Sequence, residues 1–154
     1  MFSLQQLFGK GDKFFDLLEA AAQEAHESVR LTNELIKSPR DTQKLDDLVL
    51  ARRKEKKISD QISEELVRTF VTGLEREDIE ALSRTIYKIP KTAEKLAERF
   101  LLATPHLQGA EFARQAEMMT KATDVVLTMV RHLRKMDDLE EIKRKYGDER
   151  RTEI

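Results

Sequence analysis

Three histidines and several carboxylates are the side chains of this sequence with the chemistry to bind a metal ion. His26, His106 and His132 fall on a first helix, a loop and a fourth helix, and none follows a glutamate at Glu-x-x-His spacing. A di-iron helical bundle needs that spacing on facing helices, so that carboxylate and imidazole reach the same metal. The chain has no cysteine, which excludes thiolate metal sites and disulfides. We interpret the histidines as surface or interhelical residues, and we expect no metal and no cofactor.

Motifs of catalysis are missing as well. The sequence has no Gly-rich phosphate loop, no H-E-x-x-H, no G-x-S-x-G and no nucleophile beside a recognisable base. The basic runs "RRKEKK" and "RHLRK" lack the interleaved aromatic residues that stack on bases, and the formal net charge is -1. We therefore expect no enzyme and no catalytic residue, and we interpret the basic runs as solvated helix faces.

The elements that must position any site are predicted to be helices. Charged residues make up 37% of the chain, whereas it has 5 glycines and 3 prolines, which is typical of long solvated helices. A length of 154 residues fits one domain, 1–154, of the all-α class. The sequence has neither a secretory leader pattern nor an apolar run of membrane-spanning length, so we expect a cytoplasmic protein.

Apolar residues at helical spacing predict a first helix over about 12–36 and a second over about 42–71. The first has an inward stripe of Phe14, Leu18, Ala22, Ala25, Val29 and Ile36. The second has Leu45, Leu48, Ile58, Ile62, Leu66 and Phe70.

The stripe of the second helix is interrupted for about two turns by "ARRKEKKISD". The positions that continue it are Ala51 or Arg52 and then Glu55. The pattern favours a solvated face whose aliphatic stems cover the edge of the core. A polar or ionic site inside the protein is the alternative.

A third helix is predicted to run through Pro90. Its apolar residues keep steps of three and four on both sides of this proline, which indicates one kinked helix rather than two. Thr72 and Glu75 have the spacing of a capping box at its start. The inward stripe comprises Ile79, Leu82, Ile86, Ile89, Ala93, Leu96 and Phe100.

A fourth helix, over about 110–135, has two apolar lines and so an unusually wide apolar face. The first line consists of Phe112, Ala116, Met119, Thr123, Val126, Val130 and Leu133. The second consists of Met118, Ala122, Val125, Met129 and Met136. Such width indicates either a central helix, which the pattern favours, or a helix that meets a partner. For partner binding, the candidates are Met118, Val125, Met129 and Met136.

The remaining sequence, "MDDLEEIKRKYGDERRTEI", predicts a short fifth helix that ends near Gly147. Glutamates and basic residues at i,i+4 spacing support it. Five of the eight residues 147–154 are charged, and this segment is expected to form a frayed tail.

Taken together, several segments resemble the PhoU-like family, in particular its branch of accessory proteins of Pit-type phosphate transporters. The resemblance covers about residues 1–135. It rests on "KFFDLLEAAAQEAHESV", "RRKEKKISDQISEELVRTFVTGLEREDIEAL" and "YKIPKTAEKLAERFLLA", which occur in family order at family spacing. It implies a PhoU-like antiparallel bundle of four long helices plus a short C-terminal helix, and a regulatory role in phosphate uptake through contact with a transporter.

The sequence departs from the family where the family carries acidic metal clusters. Before Asp60, it has Lys56, Lys57, Ile58 and Ser59 in place of acids. After Leu82, the expected carboxylates are replaced by Ser83, Arg84 and Tyr87. Because cations at such positions repel a divalent metal, metal binding is not carried over to this chain.

A second departure is length, since family members commonly continue into another long helix with its own acidic motif. Either that helix is absent or the sequence is truncated. If it is absent, the wide apolar face of the fourth helix favours self-association or a docked partner. The leading hypothesis is a cytoplasmic, non-catalytic accessory protein that contacts a phosphate transporter and is peripheral to the membrane through this contact. The alternatives are a metal-binding bundle and a generic helical oligomerisation or scaffold module.

Overall fold

The computed structural model describes residues 4–41, 43–70, 72, 74–107 and 111–135, with side chains from Lys13 onward. The four α-helices are α1 (Leu4–Lys37), α2 (Gln43–Arg68), α3 (Arg76–Ala103) and α4 (Ala113–Arg131). Short 3-10 turns follow α3 (Thr104–His106) and α4 (His132–Arg134). No strand occurs among the described residues, and the predicted all-α bundle of four helices is confirmed. The predicted fifth helix and the tail 147–154 lie outside the described residues.

The helix at the centre of the fold is α1, because it packs against each of the other three. The α2 and α3 helices also pack on each other, whereas α4 contacts α1 alone among the long helices. Buried alanines, Ala21, Ala22 and Ala25, lie on α1 where its neighbours approach. Small side chains reduce the distance between helix axes. The sequence "AAAQEA" therefore lets one helix support three others.

Most of the predicted inward residues are buried. Leu18, Leu48, Ile62, Ile79 and Ile86 are almost completely inaccessible to solvent. The prediction of one helix through Pro90 is confirmed, since α3 continues past this buried proline. Unbroken apolar contacts on both sides of it offset the missing backbone bond.

Three local predictions are wrong. The first helix begins at Leu4, eight residues before the predicted Asp12. Phe70 is fully exposed, because α2 ends at Arg68, before the chain could place this ring in the core. No capping box forms: Glu75 occupies the N-cap of α3 without a side-chain bond, and the Thr72 hydroxyl donates to the Leu74 carbonyl instead, at 2.6 Å.

Candidate functional site

An apolar groove lies between α3 and α4. Both helices pack on α1, but no Cα atom of α3 lies within 8 Å of a Cα atom of α4. Val29 of α1 lines the groove together with side chains of the two walls. The α3 wall contributes Lys88, Ile89, Thr92, Ala93 and Leu96, and the α4 wall contributes Met119, Ala122, Thr123 and Val126. The volume enclosed is about 410 Å³.

The residues predicted for partner binding lie on the outer side of the α4 wall. Met118 is 54% exposed and Met129 is 37% exposed. Val125 is half-buried. Met136 lies outside the described residues. An apolar surface therefore continues from the groove over the outside of α4, as the second apolar line predicted. Most of the α4 residues that line the groove itself come from the first apolar line.

The α3 wall was not predicted as part of any site. Ile89 and Leu96 were placed with the inward stripe of the third helix, yet Leu96 is 39% exposed and both side chains line the groove. Periodicity shows that these residues lie on one side of α3. It cannot show whether a neighbouring helix covers that side, because this depends on how α4 packs.

A row of basic side chains on α3 starts at Lys88, which lines the groove. Lys88, Lys91, Lys95 and Arg99 are all exposed and follow one another at steps of three and four residues. None of them forms an ion pair with a described residue, whereas Arg84, one turn earlier, pairs with Glu80 at 2.5 Å. The α4 side chains that line the groove are uncharged. One edge of the groove is therefore cationic and the other is neutral and apolar.

Polar contacts between α1 and α4 fix the position of the α4 wall. The Asn33 amide donates to the Ala116 carbonyl at 2.8 Å and to the Thr120 hydroxyl at 2.7 Å. The Arg131 guanidinium donates to the Glu19 carboxylate at 3.0 Å near the other end of α4. Polar contacts at both ends thus define how α4 lies along α1.

The histidines take the interhelical and surface positions expected of them. His26 Nδ1 lies 3.2 Å from the Thr123 hydroxyl and 3.4 Å from the Asp124 carboxylate, so it forms part of the contact between α1 and α4. His132, the first residue of the 3-10 turn after α4, has its Nδ1 2.8 Å from the Thr128 carbonyl of α4. His106 is exposed on the 3-10 turn after α3.

A second unusual region is a polar layer inside the bundle of α1, α2 and α3. It separates two apolar clusters, one around Leu18 and Ile62 and the other around Leu35 and Leu48. Glu55 lies in this layer with no solvent exposure, and neither of its carboxylate oxygens has a hydrogen-bond partner among the described residues. Glu24 of α1 also has one buried carboxylate oxygen, Oε2, that bonds to no described residue.

The sequence favoured a solvated face for this part of α2, and that interpretation is wrong for Glu55. Arg53, Lys54, Lys56 and Lys57 are exposed, as a solvated face requires, but Glu55 points inward. Burial raises the pKa of the Glu55 carboxyl to about 7; Lys56 lowers it, whereas Asp60 and Glu24 raise it further. Desolvation disfavours the charged form of a carboxyl group. Glu55 therefore takes up a proton near neutral pH.

The positions at which the PhoU-like resemblance places metal clusters have other partners in this structure. Lys56 Nζ donates to the Asp60 carboxylate at 2.6 Å, on the protein surface. The Ser83 and Ser59 hydroxyls lie 3.2 Å apart where α3 packs on α2. Among the described residues, no three His, Asp or Glu side chains are grouped so that they could hold a metal ion.

Comparison of the chain with protein-family models, with curated proteins and with solved structures finds no match. The resemblance to the PhoU-like family therefore depends on the segments quoted above and stays a prediction. None of the described helices combines the length and the apolar character needed to cross a membrane.

Proposed function

We propose that this protein is a non-catalytic accessory protein of the PhoU-like family that regulates inorganic phosphate transport by binding a phosphate transporter from the cytoplasmic side. The observation that carries a binding role is the apolar surface made of the groove and the outer side of α4. Exposed apolar surface of this kind is typical of sites that bind other proteins. The transporter as partner is inferred from the resemblance of the sequence segments.

The proposal is tested by phosphate uptake and by recovery of the transporter. Deleting the gene is expected to change the rate of phosphate uptake, and tagged protein is expected to recover the phosphate transporter from detergent-solubilised membranes. The double substitution Met118→Glu and Met129→Glu is expected to abolish this recovery, because it places two charges on the binding surface. Val67→Glu is the matched control, since Val67 is 84% exposed on α2 and away from this surface.

Unchanged uptake after deletion, together with no transporter recovered, would reject the proposal. If the Met118 and Met129 variant recovers the transporter as well as the wild type does, the transporter binds another face of the protein.

A generic oligomerisation or scaffold module is the second candidate, because the same exposed methionines would fit a second copy of the chain. Light scattering separates the two. A stable dimer that the Met118→Glu and Met129→Glu substitutions convert to monomer, without any effect of deletion on phosphate uptake, would favour the oligomerisation module. The metal-binding bundle has less support, since Lys56 already neutralises Asp60.

A further inference from the structure

The shape of the groove matches a helix. Its walls are two neighbouring antiparallel helices, and its apolar lining on α4 extends from Met119 to Val126, about 10 Å along the helix axis. An amphipathic helix that enters such a groove places apolar residues at i, i+3 or i+4, and i+7 against the floor. Ile89 and Leu96 on the facing wall have the same separation of seven residues.

The charge at the edge of the groove selects the kind of helix. The four cations from Lys88 to Arg99, which pair with no described residue, extend for about 16 Å along α3, and this corresponds to about three helical turns. The volume of about 410 Å³ alone would also suit a small molecule. A cationic row of three turns is longer than a small ligand can use, but it matches the flank of a helix with carboxylates at steps of three and four.

We propose that the groove between α3 and α4 binds an amphipathic helix of a partner protein whose apolar stripe has Asp and Glu residues along one flank. The apolar stripe lies on Val29, Ile89 and Val126, and the acidic flank faces Lys88 and Lys95. This inference rests on the proposed function for the existence of a partner and adds the chemistry of the segment that the partner contributes.

The orientation of the bound helix follows from the difference between the two walls. Its acidic flank lies over α3, where the cations are, and its uncharged flank lies over Met118 and Met129 of α4. Methionine side chains adapt to varied apolar shapes, so the α4 wall accepts different residues on that flank. Specificity therefore comes from the α3 wall.

The test uses two synthetic helices and the full chain. Each peptide has about 18 residues, a length that supports helix formation, and carries one tryptophan in its apolar stripe. One peptide has glutamates along a single flank, and the matched peptide has lysines at the same positions. Because the protein contains no tryptophan, peptide emission reports burial in the groove directly.

The acidic peptide is expected to bind and the basic peptide to bind at least about tenfold more weakly, with the difference shrinking at high salt. Lys88→Glu with Lys95→Glu is expected to reverse the preference. Arg53→Glu with Lys57→Glu, which reverses two exposed cations on α2, is the matched control and should preserve it.

Filling the groove provides the second arm of the test. Ala122→Trp places a large ring in the groove from an exposed position on α4, and Thr92→Trp does so from α3. Binding of the acidic peptide, measured by calorimetry because both variants now contain tryptophan, should be lost in both. Circular dichroism and the melting temperature should remain those of a folded helical protein.

Three results would overturn the inference. Equal affinity for the two peptides would show that the cations do not select the ligand, and affinity unchanged by Ala122→Trp and Thr92→Trp would place the site elsewhere. No binding of either peptide to the full chain would mean that the groove does not receive a partner helix. In that case, a dimer lost in Ala122→Trp would identify a second copy as the occupant.

The inference and the proposed function can fail separately. If the acidic peptide binds in the groove but no transporter is recovered, the groove is still a binding site for an acidic helix, and the phosphate transporter is the wrong partner. If the transporter is recovered equally by the wild type, by Ala122→Trp and by the Lys88 and Lys95 variant, the proposed function stands and the groove is not the contact.

Discussion

Substituting the buried Glu55 by glutamine should remove a specific pH dependence of stability. Burial holds the pKa of this carboxyl at about 7 in the folded protein, above its ordinary value of 4.5. Between these two pH values, the folded protein keeps a proton on Glu55 that the unfolded chain releases. Stability therefore falls as the pH rises through this window, in contrast to the usual behaviour of a salt-bridged carboxylate.

The size of the effect follows from the same two values. One pH unit of pKa difference corresponds to about 1.36 kcal/mol, so ionising Glu55 in place lowers the free energy of unfolding by about 3 kcal/mol. Glutamine carries no charge at any pH. The stability difference between Glu55→Gln and the wild type should therefore change by about 3 kcal/mol in favour of the variant between pH 4.5 and pH 8.

Urea unfolding followed by circular dichroism measures this difference at a series of pH values. The wild type and Glu55→Gln differ only at this side chain, so the comparison removes the pH dependence that the two proteins share. Glu64→Gln is the matched control, because Glu64 is exposed on the same helix and should show no such change. If the stability of Glu55→Gln and of the wild type changes in parallel from pH 4.5 to pH 8, ionising Glu55 costs no folding free energy. That result would refute the raised pKa and the buried position of this carboxyl group.

Three further outcomes are expected. Leu18→Ala should lower the free energy of unfolding by about 3 kcal/mol in urea titrations, since Leu18 is fully buried at the centre of α1, whereas Val67→Ala on the surface should change it by less than about 0.5 kcal/mol. Asn33→Ala should cost about 2 kcal/mol in the same assay, because it removes two bonds between α1 and α4 and leaves the Ala116 carbonyl with one partner fewer. Elemental analysis of purified protein should return no stoichiometric iron, zinc or manganese, since the Asp60 carboxylate is paired with Lys56, and stoichiometric metal would reverse this interpretation.

The helices of this fold could be predicted from sequence because helical period is a local property. Leu18, Ile62 and Ile79 each belong to an apolar stripe of their own helix, with steps of three and four residues, and all three are buried. The ends of the helices are harder to predict, because a side chain near a helix end can form a hydrogen bond to several backbone groups. Thr72 has the sequence spacing of a capping residue, but its hydroxyl donates to the nearby Leu74 carbonyl instead.

The polar layer was only half predictable. The interruption of the α2 stripe at Glu55 is visible in the sequence, but a solvated face and a buried carboxyl give the same pattern. The choice depends on whether α1 and α3 cover this turn of α2, which they do. A similar ambiguity affected α4, where two apolar lines indicated a wide face without showing which line would meet α1.

The position of α4 explains why the groove and not the core is the place to look for function. Because α4 packs on α1 alone among the long helices, no described helix covers the apolar face that α4 turns toward α3. Closing the groove would require α4 to leave the register set by Asn33 at one end and Arg131 at the other, with the loss of those polar contacts. A bound helix would instead bury Leu96 and Met129 without disturbing either contact. The arrangement of α4 on α1 therefore favours an open groove that a further helix completes.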